Sequence, residues 1–450
     1  MINCIFQILL SKTNVSKDYI LLLYLLNAAV LMNFHKFIFS HTEVSITFIL
    51  ISILAIIDLK FWRVLFLNFF IGGLILLINF PRIGNHSTFL MVSIVMVFFL
   101  FLRKFFIQNS LSKNLISYIF RVFLVIVYFY AGFHKLNKDF FNPCVSCVNH
   151  FNEFNISNFT FSNYKISNEL SIFLQYATIL LEMILPFGLL HYRTRKITVF
   201  LLLGFHFYLI FAGFADFAAV ALFLITGSMM NFKYQMFQFN HIKIYICFVI
   251  LAIVLRQFMA KTDIDSGKSV FYQGIIFAIG LIYFTYNYLI PLKITPTIYQ
   301  KKHNYILVLM FLFISFWSLK TYIGLGNQGN LTMFSNLVTA SKHNNHLLID
   351  TNKVRFFNYE NDCVKFIEFT NPDNKYDSFS GYYLPMVEFQ YYIKHWEKKH
   401  KKPIKCILEY QNQQFEIENL VESKFNNGKW WYKYLSFRRI QENSPNKCRW

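Results

Sequence analysis

Lys135 stands at the end of an apolar run, in the segment Tyr128-Phe129-Tyr130-Ala131-Gly132-Phe133-His134-Lys135-Leu136-Asn137. The run from about Ser117 to His134 is long enough to cross a hydrocarbon core of roughly 30 Å. Lys135 therefore falls at a membrane boundary, where partial desolvation favours a neutral amine, a base, over a hydrated ammonium. Asn85-His86-Ser87 precedes the apolar run 88–102, and an up-and-down hairpin with 116–134 places His86 level with Lys135. A neutral imidazole there would hold the lysine, receive its proton or orient a substrate. The bland reading, favoured by spacing alone, is that Lys135 snorkels at a helix end and His86 caps the next helix.

Further ionisable side chains lie inside apolar runs: Arg121, Glu182, His206, Asp216 and Arg256. Such groups are costly in hydrocarbon unless paired or facing a polar cavity. Glu182 and His206 occupy consecutive runs at similar depth, and a structural hydrogen bond between them is as good a reading as a catalytic role. Seven cysteines are spread thinly, unlike a disulfide scaffold. Cys144-Val145-Ser146-Cys147 is the one close pair, and with His150 it has the look of half a metal site. No second pair stands at zinc spacing, so a local disulfide or free thiols are expected there, and no metal.

The elements that must position these groups follow from composition. Of 450 residues, 56% are hydrophobic and 20% aromatic, and the mean hydropathy is +0.41, far from a soluble domain. The net charge of +20 sits in short loops between apolar runs, which excludes a nucleic-acid-binding stripe and points to the lipid bilayer as partner. Phe and Tyr are too abundant for any aromatic stripe to identify a cofactor box. Met1 to Leu10 lack the basic start and cleavage site of a signal peptide. Apolar runs at about 18–34, 44–58, 61–80, 88–102, 116–134, 170–190, 197–212, 214–230, 244–260, 272–292 and 304–323 predict an all-α polytopic membrane bundle with about eight to eleven embedded helices.

Arg103, Lys104 and Lys113 share a side with Arg193, Arg195 and Lys196, two crossings later, and the positive-inside rule makes that side cytoplasmic. The clusters at Lys233/Lys243 and Lys293/Lys301/Lys302 join them if 197–212 and 214–230 cross separately. The nearly neutral loop from Lys135 to Glu169 and everything after Tyr322 then lie outside. This divides the chain into a helical domain, 1–323, and an extracytoplasmic domain, 324–450. The outer part alternates apolar and polar residues, which predicts strands at Val354–Phe357, Cys363–Phe369 and Ile404–Tyr410, a helix over Pro385–His400 and an aromatic strand at Trp430–Tyr434. A small α+β, mainly antiparallel-sheet domain is expected.

At these residues the chain resembles the vitamin K-dependent gamma-carboxylase-like family, whose members share the HTTM (horizontally transferred transmembrane) domain, and it looks like a bacterial-type member. Asn85-His86-Ser87 resembles the family's Asn-His pair at a helix start. Tyr128 to Asn137 resembles its Tyr-Phe-x-Ala-Gly-x-x-Lys-Leu signature. Glu182 to Pro186, followed by Arg193-Thr194-Arg195, is similar to its Glu-x-x-x-Pro helix and basic turn, and Phe205-His206 stands where the next family helix carries Phe-His. Met333 to Leu337, continuing to Asn345-His346-Leu347-Leu348, resembles a segment of bacterial members. The chain departs from the family at His134, at Phe140-Phe141 and in the absence of Glu-Gly-Gly between Thr339 and Asn345.

The resemblance implies Lys135, with His86, as catalytic residues, and Asn85, His134, Glu182 and His206 around a reduced vitamin K-type quinone. The lysine would activate that quinone toward O2, giving an epoxide, with CO2 added to a protein or peptide glutamate. Quinone oxygenation is better supported than carboxylation, because the chain is much shorter than the animal carboxylase. The implied location is the bacterial inner membrane. The alternative is a non-catalytic HTTM scaffold that binds a partner or lipid; a transporter is a third class, without the internal repeat expected of one.

Overall fold

The computed structural model describes residues 17–38, 50–54, 57, 62–80, 82–106, 113–160, 162–230, 239–261, 266–292, 294, 304–369, 381–399, 403–442 and 445–448. The expectations for Met1–Leu10, for Lys233, Lys293, Lys301 and Lys302, and for most of the run 44–58 lie outside the described residues. Helices predominate: α1 Lys17–Ile38, α2 Trp62–Asn79, α3 Asn85–Phe106, α4 Lys113–Phe133, α5 Cys147–Thr160, α6 Asn168–Ile179, α7 Tyr192–Phe211, α8 Ala215–Ser228, α9 Phe239–Lys261, α10 Ser266–Phe284 and α11 Asn304–Leu319. Among the described residues, five stretches are long and apolar enough to cross a membrane: Asn114–Phe133, Asn168–Leu189, Tyr192–Phe211, Asn240–Met259 and Gly267–Leu289. Shorter apolar helices surround them, at Tyr19–Asn33, Asn68–Asn79, Asn85–Phe99, Ala215–Ser228 and Tyr305–Leu319.

At the centre is α8, every residue of which is buried. Its Ala215, Ala218, Ala219 and Ala221 are small enough to let α1, α4 and α7 approach closely. The outer faces are apolar too: α6 exposes Ile172, Phe173 and Tyr176, and α11 exposes Val308, Leu309, Phe311, Leu312, Phe313 and Phe316.

The C-terminal part carries a five-stranded antiparallel sheet in the order β4-β3-β1-β2-β5, with β1 Cys363–Phe369, β2 Tyr382–Pro385, β3 Cys406–Tyr410, β4 Gln413–Ile417 and β5 Ile440–Gln441. Helix α12, Met386–Lys399, begins directly after Pro385 and covers one face. Val364, Phe366 and Leu384 meet Phe389, Ile393 and Trp396 there, as strand and helix periodicities require.

Two expected strands are absent. At 355–358 no strand forms, because the Phe356 and Phe357 N–H groups both donate to the Ile323 carbonyl (3.2 and 3.0 Å). Trp430–Tyr434 is a 3-10 turn rather than a strand, and its carbonyls are gathered by Arg82. That arginine, in the α2–α3 loop, donates to Tyr432 O (3.2 Å), Lys433 O (3.1 Å) and Leu435 O (2.6 Å). It also grips Glu388 of α12 through two bonds of 2.5 and 2.9 Å and lies 3.3 Å over the Tyr391 ring.

Candidate functional site

Lys135 is almost completely buried, at 2% exposure. Its Nζ donates to Glu182 Oε2 at 2.6 Å and to the Ala131 carbonyl at 3.2 Å. The pairing is built by local sequence on both sides. Pro186 has no N–H for the carbonyl of Glu182, four residues back, and an α-helix cannot continue through it. The chain widens instead into a π turn over Leu180–Ile184, where the Leu185 N–H reaches the Leu180 carbonyl, and then tightens into a 3-10 turn, Leu185–Leu189. Such bulges re-aim one side chain, and here it is Glu182. On the opposing helix, Gly132 makes room: a Cβ there would lie 2.5 Å from Met183 Cγ and 3.1 Å from Glu182 Cβ.

After Lys135 the chain is fixed by its own amides. Asn137 Nδ2 donates to His134 O (2.8 Å) and to Ser335 O, while its Oδ1 accepts from Phe140 N (2.9 Å). The segment 335–347 docks across this loop through Lys138 N to Asn345 O and Leu347 N to Leu136 O, both 2.9 Å. Leu331, Phe334 and Asn336 hold left-handed backbone angles, φ 64°, 51° and 54°, a conformation that non-glycine residues keep only where surrounding contacts impose it. It drives the Phe334 ring between Phe151 and Phe214, with centroids 4.7 and 4.6 Å away.

The Lys135–Glu182 pair is one corner of a partly open cavity of about 390 Å3 lined by α5, α6, α7 and Phe334. Its walls are mainly apolar, with Phe151, Leu174, Leu181, Phe200, Phe205 and Leu209, and its other polar groups include Asn152, Thr178 and Tyr208. In size and character, with few polar groups converging on an apolar space, the pocket resembles sites that take small organic molecules.

Of the six expected site residues, Lys135 and Glu182 meet in this cavity, and His86, Asn85, His134 and His206 go elsewhere. His86 does not partner Lys135; its Nε2 lies 3.2 Å from Asp216 Oδ2 at the start of α8. Asn85 Oδ1 accepts from Leu331 N at 3.0 Å, holding the strained loop. His134 is spent on structure, its Nδ1 bonded to Tyr322 Oη and its Nε2 to Ser318 Oγ, each 2.8 Å. His206 shares a hydrogen bond with Tyr128 and packs on Phe217, so it does not meet Glu182. Hairpin reasoning gives depth along a helix but not the direction a side chain faces, which is why these pairings differ.

Among the other buried ionisable groups, Arg121 Nε donates to Ser228 O (2.8 Å), Arg195 Nε to Leu189 O (2.8 Å) and Arg256 Nη1 to Gln273 Oε1 (2.7 Å). The cysteine expectation is corrected as well. Cys147, in the cavity wall, is bonded to Cys448, 301 residues on, and Cys144 is free. The Cys448 N–H donates to the Val145 carbonyl at 3.2 Å, which carries the C-terminal segment across the loop and brings its sulfur to Cys147. Sequence reading also missed Tyr208, Asn152 and Phe334 as wall residues. Phe334 stands in the Met333–Leu337 segment singled out above, but its place in the wall follows from the left-handed loop geometry, which the sequence does not reveal.

The sheet face not covered by α12 borders a second, polar cleft of about 480 Å3, lined by Lys365, Tyr383, Glu409, Glu442 and the Ala340–Glu360 side. Beneath it Glu360 is fully buried, accepting from Asn327 Nδ2 (2.7 Å) and Thr339 Oγ1 (2.9 Å) and facing Arg355 at 3.2 Å. Burial pushes its carboxyl up to about 7, against the pull of Arg355 and the two donors. No family model, no curated protein and no solved structure matches this chain.

Proposed function

We propose that this protein is an integral membrane enzyme that binds a reduced quinone in the α5–α6–α7 cavity and uses Lys135 as the base that starts its oxidation by O2. The single observation that carries the reading is the buried Lys135–Glu182 pair in the corner of an otherwise apolar cavity of about 390 Å3. Membrane embedding is supported by the five helices of spanning length and by the exposed apolar faces of α6 and α11, which water would leave unsolvated. The same reading puts the sheet on the extracytoplasmic side, in line with the loop charges and with a disulfide, which persists in oxidising compartments.

The donor set fits such a ligand. Flat aromatic rings would pack against Phe151, Phe205 and Phe334, and an oxygen at the ring edge would reach Lys135. A bound hydroquinone would supply O–H groups of phenol-like acidity and the electrons that reduce O2, one oxygen atom entering the epoxide and the other leaving as water. Once the resting ion pair has given up its ammonium proton, the free Lys135 amine takes the O–H proton, and the Glu182 carboxylate, 2.6 Å away, holds the resulting ammonium in place and orients it. The mainly apolar walls lower the local dielectric, so charge developing at the ligand oxygen would interact more strongly with that ammonium. His86 belongs to the support of α8 in this scheme, through Asp216, and not to the proton path. Carboxylation of a protein glutamate by CO2 is the further activity that the resemblance suggests.

A non-catalytic scaffold is the second reading, and one observation favours it: the Lys135 amine already has two acceptors, Glu182 and the Ala131 carbonyl. The test is incubation of the purified protein in detergent with vitamin K hydroquinone, oxygen and bicarbonate, with chromatography of the products. Epoxide from wild type and none from folded Lys135→Ala supports the enzyme. Absence of epoxide from folded wild type decides for the scaffold.

A further inference from the structure

Among the described residues after Tyr322, exposed large apolar side chains are confined, apart from Ile367, to two short segments, 347–357 and Trp430–Tyr434. In the first, Phe356 is 80% exposed, and Leu347, Leu348, Val354 and Phe357 are exposed with it. In the second, Trp430 is 75% exposed and its ring packs edge-on against Tyr434, centroids 6.2 Å apart. Apolar side chains concentrated in this way mark a surface that has a partner. The cavity beside Lys135 uses none of them.

Both segments are fastened where helices of the bundle end. The Phe356 and Phe357 N–H groups reach the Ile323 carbonyl, just beyond α11. At the end of α4, His346 Nε2 lies 3.2 Å from the Phe133 carbonyl and the Leu347 N–H donates to the Leu136 carbonyl at 2.9 Å. Arg82, just beyond α2, holds the Tyr432 and Lys433 carbonyls of the second segment. Both α11 and α2 carry exposed apolar side chains into their last turns, with Phe316 on the one and Leu77 and Ile78 on the other. The exposed apolar surface of the C-terminal part therefore begins where the apolar outer faces of these helices end.

The charged residues in these segments suit the same partner. Lys429 and Lys433 are exposed, with their ammonium groups 5.9 Å from the Trp431 ring and 4.8 Å from the Tyr434 ring. Lys353 is exposed in the first segment, with the Asp350 carboxylate 4.0 Å away. Trp and Tyr, each an apolar ring with a polar edge, together with lysines whose stems lie on apolar surface while their heads stay in water, are the composition of a membrane–water interface. The ammonium groups match the phosphates of lipid headgroups.

We propose that 347–357 and Trp430–Tyr434 are two feet that sink into the headgroup–acyl boundary of the bilayer, so that the C-terminal part rests on the membrane surface. This depends on the membrane reading above and adds to it a lipid contact made by the sheet-bearing part of the chain. Binding of this kind needs an apolar face at the level of the headgroups and cations for the lipid phosphates, and both are present. Leu136 follows Lys135 directly, so the first foot is fastened beside the amine of the cavity and sets the level of that amine at the membrane boundary.

The test is photocrosslinking of the full-length protein in nanodiscs of phosphatidylcholine and phosphatidylglycerol. The amino acid p-benzoylphenylalanine replaces one residue at a time, at Phe356, Trp430, Phe313 or Ile367, and after illumination and digestion the lipid-bearing peptides are measured by mass spectrometry. All four positions are exposed, so an aromatic ring there should leave the fold intact. Phe313, on the outer face of α11, reports whether the bundle is embedded, and Ile367, on the sheet, is the water-side reference. Lipid adducts should form at Phe313, Phe356 and Trp430, at a yield about tenfold or more above that at Ile367. Adducts at Phe313 with none at Phe356 or none at Trp430 overturn the two feet and leave the membrane reading standing. Equal yields at Ile367 and the two feet, or a second protein chain crosslinked there in place of lipid, overturn them as well. Absence of lipid at all four positions removes the membrane reading together with the feet. The readout needs no quinone, so loss of the enzymatic reading alone would not change it.

Discussion

Gly132 of α4 and Met183 of the π turn approach so closely that a methyl group on the glycine would lie 2.5 Å from Met183 Cγ. The same contact brings Glu182 within hydrogen-bond distance of Lys135, one turn along α4. Gly132→Ala should therefore separate the two elements, costing about 1–3 kcal/mol as an overpacked contact. Thermal unfolding in detergent measures it, and a melting temperature equal to wild type would contradict the close approach.

Lys135 and Glu182 should behave as a pair. Removing either alone leaves a buried charge without its partner, at a cost of about 3–5 kcal/mol, whereas replacing both with apolar residues of similar size should recover most of that loss. Lys135→Met, Glu182→Leu and the double variant, compared by unfolding, give the coupling. In the epoxidation assay Glu182→Gln should lower turnover on the order of 100-fold or more, the range for a disturbed general base.

The space beside Gly204 of α7 is open: nothing lies within 4 Å of a Cβ placed there. Gly204→Ala should be neutral to stabilising, by up to about 1 kcal/mol, since alanine is the better helix former. Gly204→Trp should fold and yet lose ligand binding, because the ring would occupy the cavity. Binding of a quinone, followed by fluorescence quenching, distinguishes the two; equal binding by both would place the ligand elsewhere.

Glu360 gives a pH signature. Its carboxyl is held up at about 7, against 4.5 ordinarily, so the folded state keeps a proton that the unfolded chain has released. That contribution is complete below about pH 4.5 and is lost as pH rises to about 7, a decline on the order of 3 kcal/mol at roughly 1.4 kcal/mol per pH unit. Glu360→Gln should flatten this slope in melting temperature against pH. A variant whose slope matches wild type would remove Glu360 as its source.

Arg82 meets Glu388, whose side chain is fully buried, through two bonds, and Arg82→Ala should cost about 3–5 kcal/mol by stranding that carboxylate. Arg82→Lys should recover only part of it, because an ammonium cannot reproduce the planar fork that also binds three carbonyls. Unfolding of both variants checks the order.

How far the sequence alone reaches depends on the range of each interaction. Lys135 at a helix end, Glu182 four residues before Pro186 and Gly132 three residues before the lysine are all local patterns, and they lie together at the cavity. The β1 and β3 strands and helix α12 were equally legible, since period-2 and 3.6-residue patterns report burial on one face. His86 was read as a site residue from the hairpin that levels it with Lys135, His206 from its place inside an apolar run and His134 from the resemblance, but each is taken up by a neighbour distant in sequence. The reach of Arg82 to Glu388 and of Cys147 to Cys448 spans 306 and 301 residues, and nothing near either partner announces it. The aromatic 3-10 turn was misread for the same reason, since a distant guanidinium shapes it.

The α2–α3 loop holds Arg82, and three residues later α3 begins with Asn85, whose side-chain oxygen fixes Leu331. One short stretch of chain thus grips the sheet through α12 and the cavity wall through the loop that bears Phe334. Pulling on either end of such a rivet loads the other, so the helices and the sheet should melt in a single calorimetric transition, and residues 324–450 expressed by themselves should be a molten fragment with no sharp transition of their own.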